Sequence, residues 1–309
     1  MSRIRRGSSS QKRNIMHQIA FTLFSHPIHW YGVCIAVGFL LATGLMLQLR
    51  RYAGMSRDHV FDIAMLSIFS GIIGARVFFV IQFWNEQFAG RPFSAVFRID
   101  KGGIVFYGGF IAAFASLCIY AFRKKLSIRL ILDLAAPAIA LGHAFGRIGC
   151  FLQGCCFGRC APENFPGAVR FPAGSMPFHR YPGPDGLHSL PLYPVQLYEC
   201  ALNLLLSALL VILLRKNRKP GRIAAVYLIA YAAIRFTIEF FRGDHTDSFL
   251  HMTPSQNIAL FVMLPLGILV YFLFPLNASA SPHPDEESGD PDPAPAPAGK
   301  RKKRKRSGK

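Results

Sequence analysis

Seven apolar runs of near-spanning length divide this chain, at 30–49, 60–84, 103–122, 128–152, 194–214, 222–241 and 256–274. A bilayer core about 30 Å thick takes roughly 20 apolar residues of helix to cross. Inside it no water satisfies a backbone amide, so a run of this kind is committed to helix. The runs therefore predict an all-α polytopic membrane protein of about seven transmembrane helices, with no separate soluble domain. The composition agrees, with 52% hydrophobic and 17% charged residues among 309.

A formal net charge of +19 would suit a nucleic-acid partner, but its placement points elsewhere. Arg50, Arg51 and Arg57 lie between the first two runs, and Arg123, Lys124, Lys125 and Arg129 between the third and fourth. Arg215, Lys216, Arg218, Lys219 and Arg222 lie between the fifth and sixth, and the tail Lys300–Lys309 follows the last. Short, densely basic connections mark the cytoplasmic side. No nucleic-acid partner is expected; the loops 85–102, 153–193 and 242–255 are expected outside, with the N-terminus extracytoplasmic and the C-terminus cytoplasmic. The basic stretch Met1–Arg13 runs against this rule, and no A-x-A-like site follows it to mark a cleavable signal peptide. The chain thus reads as a basic N-terminal extension (1–28), a seven-helix domain (29–275) and a tail (276–309) rich in Pro and Ala, expected to be disordered. The basic end of that tail suits contact with anionic membrane lipids.

Charges inside the runs carry the functional signal. Arg76, Arg147 and Arg235 each sit in apolar sequence, where an arginine costs about 2.5–3.5 kcal/mol at mid-helix and normally has an anionic partner. Three such guanidiniums suggest a site for a phosphate or carboxylate within the bilayer. His143 and Arg147, spaced i, i+4, share a helix face. Gly142, Gly146 and Gly149 allow close approach by another helix or a ligand. Tyr231, Arg235 and Glu239 make a polar stripe at four-residue intervals, in which Glu239 neutralises and orients the arginine. Gln196, Tyr198 and Glu199 open the fifth run, and Glu199 needs a cation, with Arg76, Arg147 and Arg235 as the candidates. The loop 153–193 is either a substrate-covering element or plain disorder.

Cys150, Cys155, Cys156 and Cys160 fall in the pattern C-x4-C-C-x3-C, which contains no C-x-x-C pair and matches no zinc spacing. No metal is expected. A disulfide involving Cys160 is the expectation on an oxidising face, and small apolar packing is expected of Cys34, Cys118 and Cys200.

Six segments, in order, resemble the phosphatidylglycerol–prolipoprotein diacylglyceryl transferase family. They are His29-Trp-Tyr-Gly32, Gly74-Ala-Arg-Val77, Gly102-Gly-Ile-Val-Phe-Tyr-Gly-Gly109, Gly146-Arg-Ile-Gly-Cys-Phe-Leu-Gln-Gly154, Tyr193-Pro-Val-Gln-Leu-Tyr-Glu199 and Arg235-Phe-Thr-Ile-Glu-Phe-Phe-Arg242. The resemblance runs from about His29 to about Phe274. It implies a bacterial cytoplasmic (inner) membrane enzyme, without cofactor, that moves the diacylglyceryl group of phosphatidylglycerol to the lipobox cysteine of a prolipoprotein signal peptide. A thioether forms and glycerol phosphate leaves. It also implies a phosphate role for Arg147 and Arg235 and functional positions at Tyr31, Tyr231 and Tyr107; His143 and Glu239, one turn from the arginines, are the further catalytic candidates. Arg76, Gly149, Gly158, Gln196, Tyr198 and Glu199 complete the expected substrate contacts. The physics fits, since preplaced guanidiniums stabilise a phosphate leaving group in low dielectric.

The chain departs from the family where many members carry His at Tyr107, Asn at Cys150 and an acid at Cys155. Tyrosine, with an ordinary pKa near 10, is a poor base at neutral pH. Tyr107, His143 and the departing phosphate are therefore all open as proton acceptors. A diverged paralogue with another acceptor, or an organic-anion transporter, are the alternatives; a transporter would usually show repeated halves, and no internal repeat is evident.

Overall fold

The computed structural model describes residues 19–23, 26–98, 103–216, 219–244 and 252–273. Most of the basic N-terminal extension, the tail from 274, Gly102 and Arg218 lie outside the described residues.

Each apolar run forms helix. The long ones are α1 (Trp30–Leu49), α2 (Arg57–Gln82), α3 (Phe106–Arg123) and α4 (Ile128–Gln153). A single turn, α5 (Met176–Arg180), lies in the following loop, and α6 (Val195–Lys216) and α7 (Arg222–Glu239) come after it. The last run is α8 (Pro254–Ile258), a π-turn at Ala259–Met263, and α9 (Leu264–Leu273). Six of these spans are long and apolar enough to cross a membrane. The seventh, α7, is an unbroken helix of 18 residues carrying Arg222, Arg235 and Glu239, so its hydrophobicity alone does not mark it. Among the described residues the only paired strands are a two-stranded hairpin, β1 (Ile19–Leu23) with β2 (His26–His29). The chain is a mostly helical, multi-pass membrane protein.

Large apolar side chains such as Leu40, Phe69, Phe110 and Leu205 face outward, while the interior combines aliphatic residues such as Leu49, Ile131, Leu134 and Leu210 with small and polar ones. Lipid gives helices no hydrophobic reason to associate, so close packing has to hold them together. Helix α4 is the hub, burying Ala136, Ala138, Ala140 and Ala144 where α1, α6 and α7 pack around it. It meets α1 at Gly38, where a Cβ would fall 2.8 Å from the Phe145 Cβ and 3.0 Å from the Gly142 carbonyl oxygen. The α2–α3 pair closes in the same way at Gly74, where a Cβ would fall 2.2 Å from the Ala112 Cβ. Asp133, buried on α4, accepts the backbone N–H of Gly221 (2.6 Å) and Ala224 (2.8 Å). It supplies a carboxylate to the electropositive N-terminus of α7 and fixes that helix against the hub.

The loop 153–193 is folded, which excludes plain disorder. Phe157, Phe171 and Leu192 form its small core. Isolated bridges join Val169 to Leu192, Pro172 to His188 and Pro182 to Ser189. At its tip Asp185 accepts the N–H groups of His188 (2.9 Å) and Leu187 (3.0 Å). Those bonds, His188's first, hold the Asp185 carboxyl down at about 2. A further bridge, Gly158 to Arg242, ties this cap to the end of α7.

Candidate functional site

Glu199, on the first turns of α6, is 2% exposed and is the point where the buried charges meet. Its Oε1 lies 2.8 Å from Nη2 of Arg147 on α4. Its Oε2 lies 3.8 Å from Nη1 of Arg235 on α7. Three helices thus each bring one charge to the same place. Arg147 stands six residues before the end of α4 at Gln153, about 9 Å at 1.5 Å per residue. Glu199 and Arg235 each lie four residues from the α6 start and the α7 end. All three therefore sit near the end of the bundle that carries the folded cap.

Further contacts fix each guanidinium. The Arg147 Nε donates to Nε2 of His143 at 3.0 Å, so that ring nitrogen is the lone-pair nitrogen of a neutral imidazole. The His143 ring also packs on Tyr231, centroids 5.3 Å apart. The Arg235 Nη2 lies 2.9 Å from Oε2 of Glu239, one turn on, and donates to the Ser255 hydroxyl of α8 at 2.8 Å. Glu239 is in turn 3.8 Å from Nε of Arg242, which makes a two-point contact with Asp244 at 3.0 and 2.8 Å. Among the described residues, the buried Nη1 of Arg235 has no hydrogen-bond acceptor. A buried guanidinium N–H is costly to leave unmet, so this Nη1 is a donor with capacity for one more anion or carbonyl.

Arg76 is engaged elsewhere. Its Nε, Nη1 and Nη2 donate to the carbonyls of Val96 (2.7 Å), Gly103 (2.9 Å) and Ala95 (3.1 Å). Its guanidinium also lies over the Phe79 and Phe88 rings, 5.5 and 5.4 Å from their centroids. Of the three arginines offered as partners for Glu199, Arg147 and Arg235 converge on it, and Arg76 instead pins the segment before α3 to α2.

The remaining candidates divide. Gly149 brings α1 close, since a Cβ there would meet the Tyr31 Cδ2 at 3.2 Å and the Cys34 Cβ at 3.1 Å. Tyr31 lines an open cavity of about 560 Å³ with Pro27, Ile28, His29, Gly32 and Gln153. Gln196 is buried and donates to the Cys155 carbonyl at 2.8 Å. Gly158 serves backbone packing, its missing Cβ leaving room for the Tyr193 carbonyl oxygen at 2.3 Å. Tyr198 is half-buried on α6. Tyr107, at the start of α3, is 53% exposed, and among the described residues its ring contact is with Phe106. Arg242, Asp244 and Ser255 were not among the sequence candidates. Arg242 closes one of the quoted segments and was open to notice, whereas Ser255 reaches the site only through the packing of α8.

The cysteines depart from one expectation and add a feature the spacing did not show. All seven are free, and Cys160 is exposed, so the disulfide expected of it is not formed. The spacing argued against a metal ligand set, yet the sulfurs of Cys150, Cys155 and Cys156 lie within 4.8 Å of one another. Hydrogen bonds from Cys150 and Cys155 hold the Cys156 thiol well below its ordinary range, with Arg242 and Arg147 assisting against burial.

Comparison with known proteins gives the family. The prolipoprotein diacylglyceryl transferase family profile matches residues 18–273. A phosphatidylglycerol–prolipoprotein diacylglyceryl transferase of Clostridium tetani is 34% identical over 256 residues, covering 83% of this chain and 97% of the relative. The second such enzyme of Clostridium perfringens is 32% identical, covering 81% and 92%. That of Salmonella arizonae is 33% identical, covering 72% and 80%. Matched along most of its length to the family and to relatives of similar extent, the chain belongs to the prolipoprotein diacylglyceryl transferase family.

Proposed function

We propose that this enzyme transfers the diacylglyceryl group of phosphatidylglycerol to a cysteine thiol of a prolipoprotein, as the names of its relatives describe. The acceptor is the lipobox cysteine at the end of the signal peptide. The reaction takes place in the bacterial cytoplasmic (inner) membrane, with the N-terminus and the cap outside and the C-terminus inside. Residues 29–275 make the catalytic domain.

One observation carries this reading: Arg147 and Arg235 share the buried Glu199, and Arg235 keeps an unmet N–H. A phosphodiester headgroup in that gap accepts from both guanidiniums. As the glyceryl C–O bond breaks, charge builds on the phosphate oxygens, and planar donors already in place stabilise it without reorganising. Glu199 and Glu239 hold the two guanidiniums apart and in plane. Tyr31, Gly149 and Tyr231 line the approach for the lipid, and Gln196 and Tyr198 border the cap from α6. Tyr107 donates a hydrogen bond to substrate from the start of α3, and Arg76 acts through the segment it pins.

The test is direct. Purified protein is incubated with phosphatidylglycerol and a lipobox peptide, and glycerol phosphate and peptide mass are followed. Equal amounts of glycerol phosphate and diacylglyceryl peptide are expected. Glycerol phosphate without peptide modification, or no turnover by folded protein, would overturn the reading.

A further inference from the structure

Beside the arginine cluster a second group of chemically active side chains meets. The sulfurs of Cys150, Cys155 and Cys156 all lie within 4.8 Å of one another. A turn folded back on itself brings them together. Helix α4 ends at Gly154 with φ +73°, the Cys155 N–H donates to the Cys150 carbonyl at 3.1 Å, and Cys156 holds φ +57°. A left-handed conformation disfavours any residue with a side chain, and here it points the third thiol at the other two. This turn is why the sequence spacing hides the group.

Three thiols suit one class of ligand. Zinc binds thiolates at about 2.3 Å in a tetrahedral array, which sets neighbouring ligand sulfurs roughly 3.8 Å apart. Sulfurs already within 4.8 Å close to that spacing by side-chain rotation. Structural zinc sites use four protein ligands, whereas catalytic ones use three and keep a position open. The fourth cysteine of the segment, Cys160, is exposed, and its backbone pairs with Leu192; it is not part of the group. Three thiolates around a divalent ion carry a net negative charge, and the guanidiniums of Arg242 and Arg147 are close enough to act on Cys156. The group thus offers a metal three thiol ligands, with the compensating charge of Arg242 and Arg147 nearby.

A group that turns a thiol into a thiolate would assist the proposed reaction, and the side chains of the arginine cluster are already engaged. His143 Nε2 is taken by Arg147, and Glu199 and Glu239 are held in ion pairs. A metal-bound thiol loses its proton outright. Resting on the transferase reading, we propose that Cys150, Cys155 and Cys156 hold one zinc ion whose open position takes the acceptor cysteine and presents it as a thiolate next to Arg147. As the acceptor sulfur binds, its proton passes to water. A sulfur lone pair then forms the S–C bond to the glyceryl carbon while the C–O bond breaks, its electron pair leaving on the oxygen of glycerol phosphate. Zinc keeps its oxidation state, and the uncharged thioether, a weaker ligand than the thiolate, dissociates.

The experiment uses full-length protein in detergent, with thiols reduced and metal stripped by chelation, titrated with Co²⁺ alone and separately with Zn²⁺. One Co²⁺ per chain is expected, with a near-ultraviolet thiolate-to-cobalt band that grows when a lipobox peptide is added. Cys155→Ser and Cys156→Ser, each eluting as the wild type does, lose the band. Stripped enzyme should transfer at least tenfold more slowly and recover with Zn²⁺. A missing thiolate band, a band that ignores the peptide, a disulfide within the group in place of metal uptake, or full activity of the stripped enzyme would each overturn the zinc site. Full activity of stripped enzyme leaves the transferase reading standing. Failure of both stripped and Zn²⁺-loaded enzyme to transfer, with the cobalt band intact, overturns the transferase reading instead.

Discussion

The α4–α6–α7 interior and the α2–α3 pair both bury arginine in apolar sequence, and they treat it in opposite ways. Among the described residues Arg76 meets neutral dipoles: three carbonyls accept from it within 3.1 Å and two aromatic rings cover it. Arg147 and Arg235 share one carboxylate, and Arg235 keeps a buried N–H without an acceptor. The first arrangement is complete as it stands and holds a loop in place. The second is poised for another acceptor. Residue type and apolar context are the same in both regions, so the difference lies in the partners alone.

The largest effects should fall on the shared carboxylate. Arg147→Ala or Arg235→Ala should remove about 2.7–4 kcal/mol of transition-state stabilisation or more, by analogy with losing one oxyanion donor. Arg147→Lys should recover little, since a point charge lacks the planar fork. Steady-state transfer assays check this, and full activity of the lysine variant would break the two-point argument.

Arg76→Ala should act on folding, because each carbonyl it leaves buried without a donor costs roughly 1–3 kcal/mol. Thermal unfolding in detergent should shift down, while surviving folded protein keeps most of its specific activity. Glu239→Gln should be milder than Arg235→Ala, because it loosens Arg235 and leaves the guanidinium present. If Glu239→Gln expresses normally and loses as much turnover, Glu239 takes a direct part and the supporting role assigned to it is wrong.

The same partners explain what the sequence made legible. Helix positions were readable because lipid commits long apolar runs to helix: 128–152 is observed as Ile128–Gln153, and 222–241 as Arg222–Glu239. The i, i+4 relations of His143 with Arg147 and of Arg235 with Glu239 were readable too, because they depend only on the turn of a single helix. Which arginines meet Glu199 was not readable. That pairing depends on the register of α4 against α6 and α7, set by small-residue packing and by Asp133 reaching the α7 N-terminus. The cysteine group was hidden for a related reason, since a left-handed turn at Cys156 replaces the spacing that a C-x-x-C search relies on. The fold of the cap depends on isolated bridges between distant Pro- and Gly-rich stretches, which leave no periodicity to detect.

Smaller effects sharpen the comparison at its edges. Tyr107→Phe, assayed across pH 6–9, should cost about 0.5–1.5 kcal/mol, the worth of one hydrogen bond, because the role proposed for the exposed phenol is a single contact to substrate from the rim. A loss as large as that of Arg147→Ala would move the reacting centre toward α3. Least of all, Asp185→Asn should trim the acid tolerance of the cap. Its carboxyl is held at about 2, below the ordinary value near 3.9. The stabilisation is therefore fully present above that ordinary value and is lost as pH falls from there through about 2. Proteolytic nicking of the cap at low pH should become similar in wild type and variant, whereas at neutral pH the variant is nicked faster.

The central claim is that Arg147 and Arg235 serve the phosphate and Arg76 serves the fold. It is tested most directly by single-turnover release of glycerol phosphate from phosphatidylglycerol, measured on equal amounts of folded wild type, Arg147→Ala and Arg76→Ala. The account predicts release by wild type and Arg76→Ala at similar rates, and a loss of about a hundredfold or more for Arg147→Ala. Equal loss in the two variants, or release by Arg147→Ala at the wild-type rate, would contradict it.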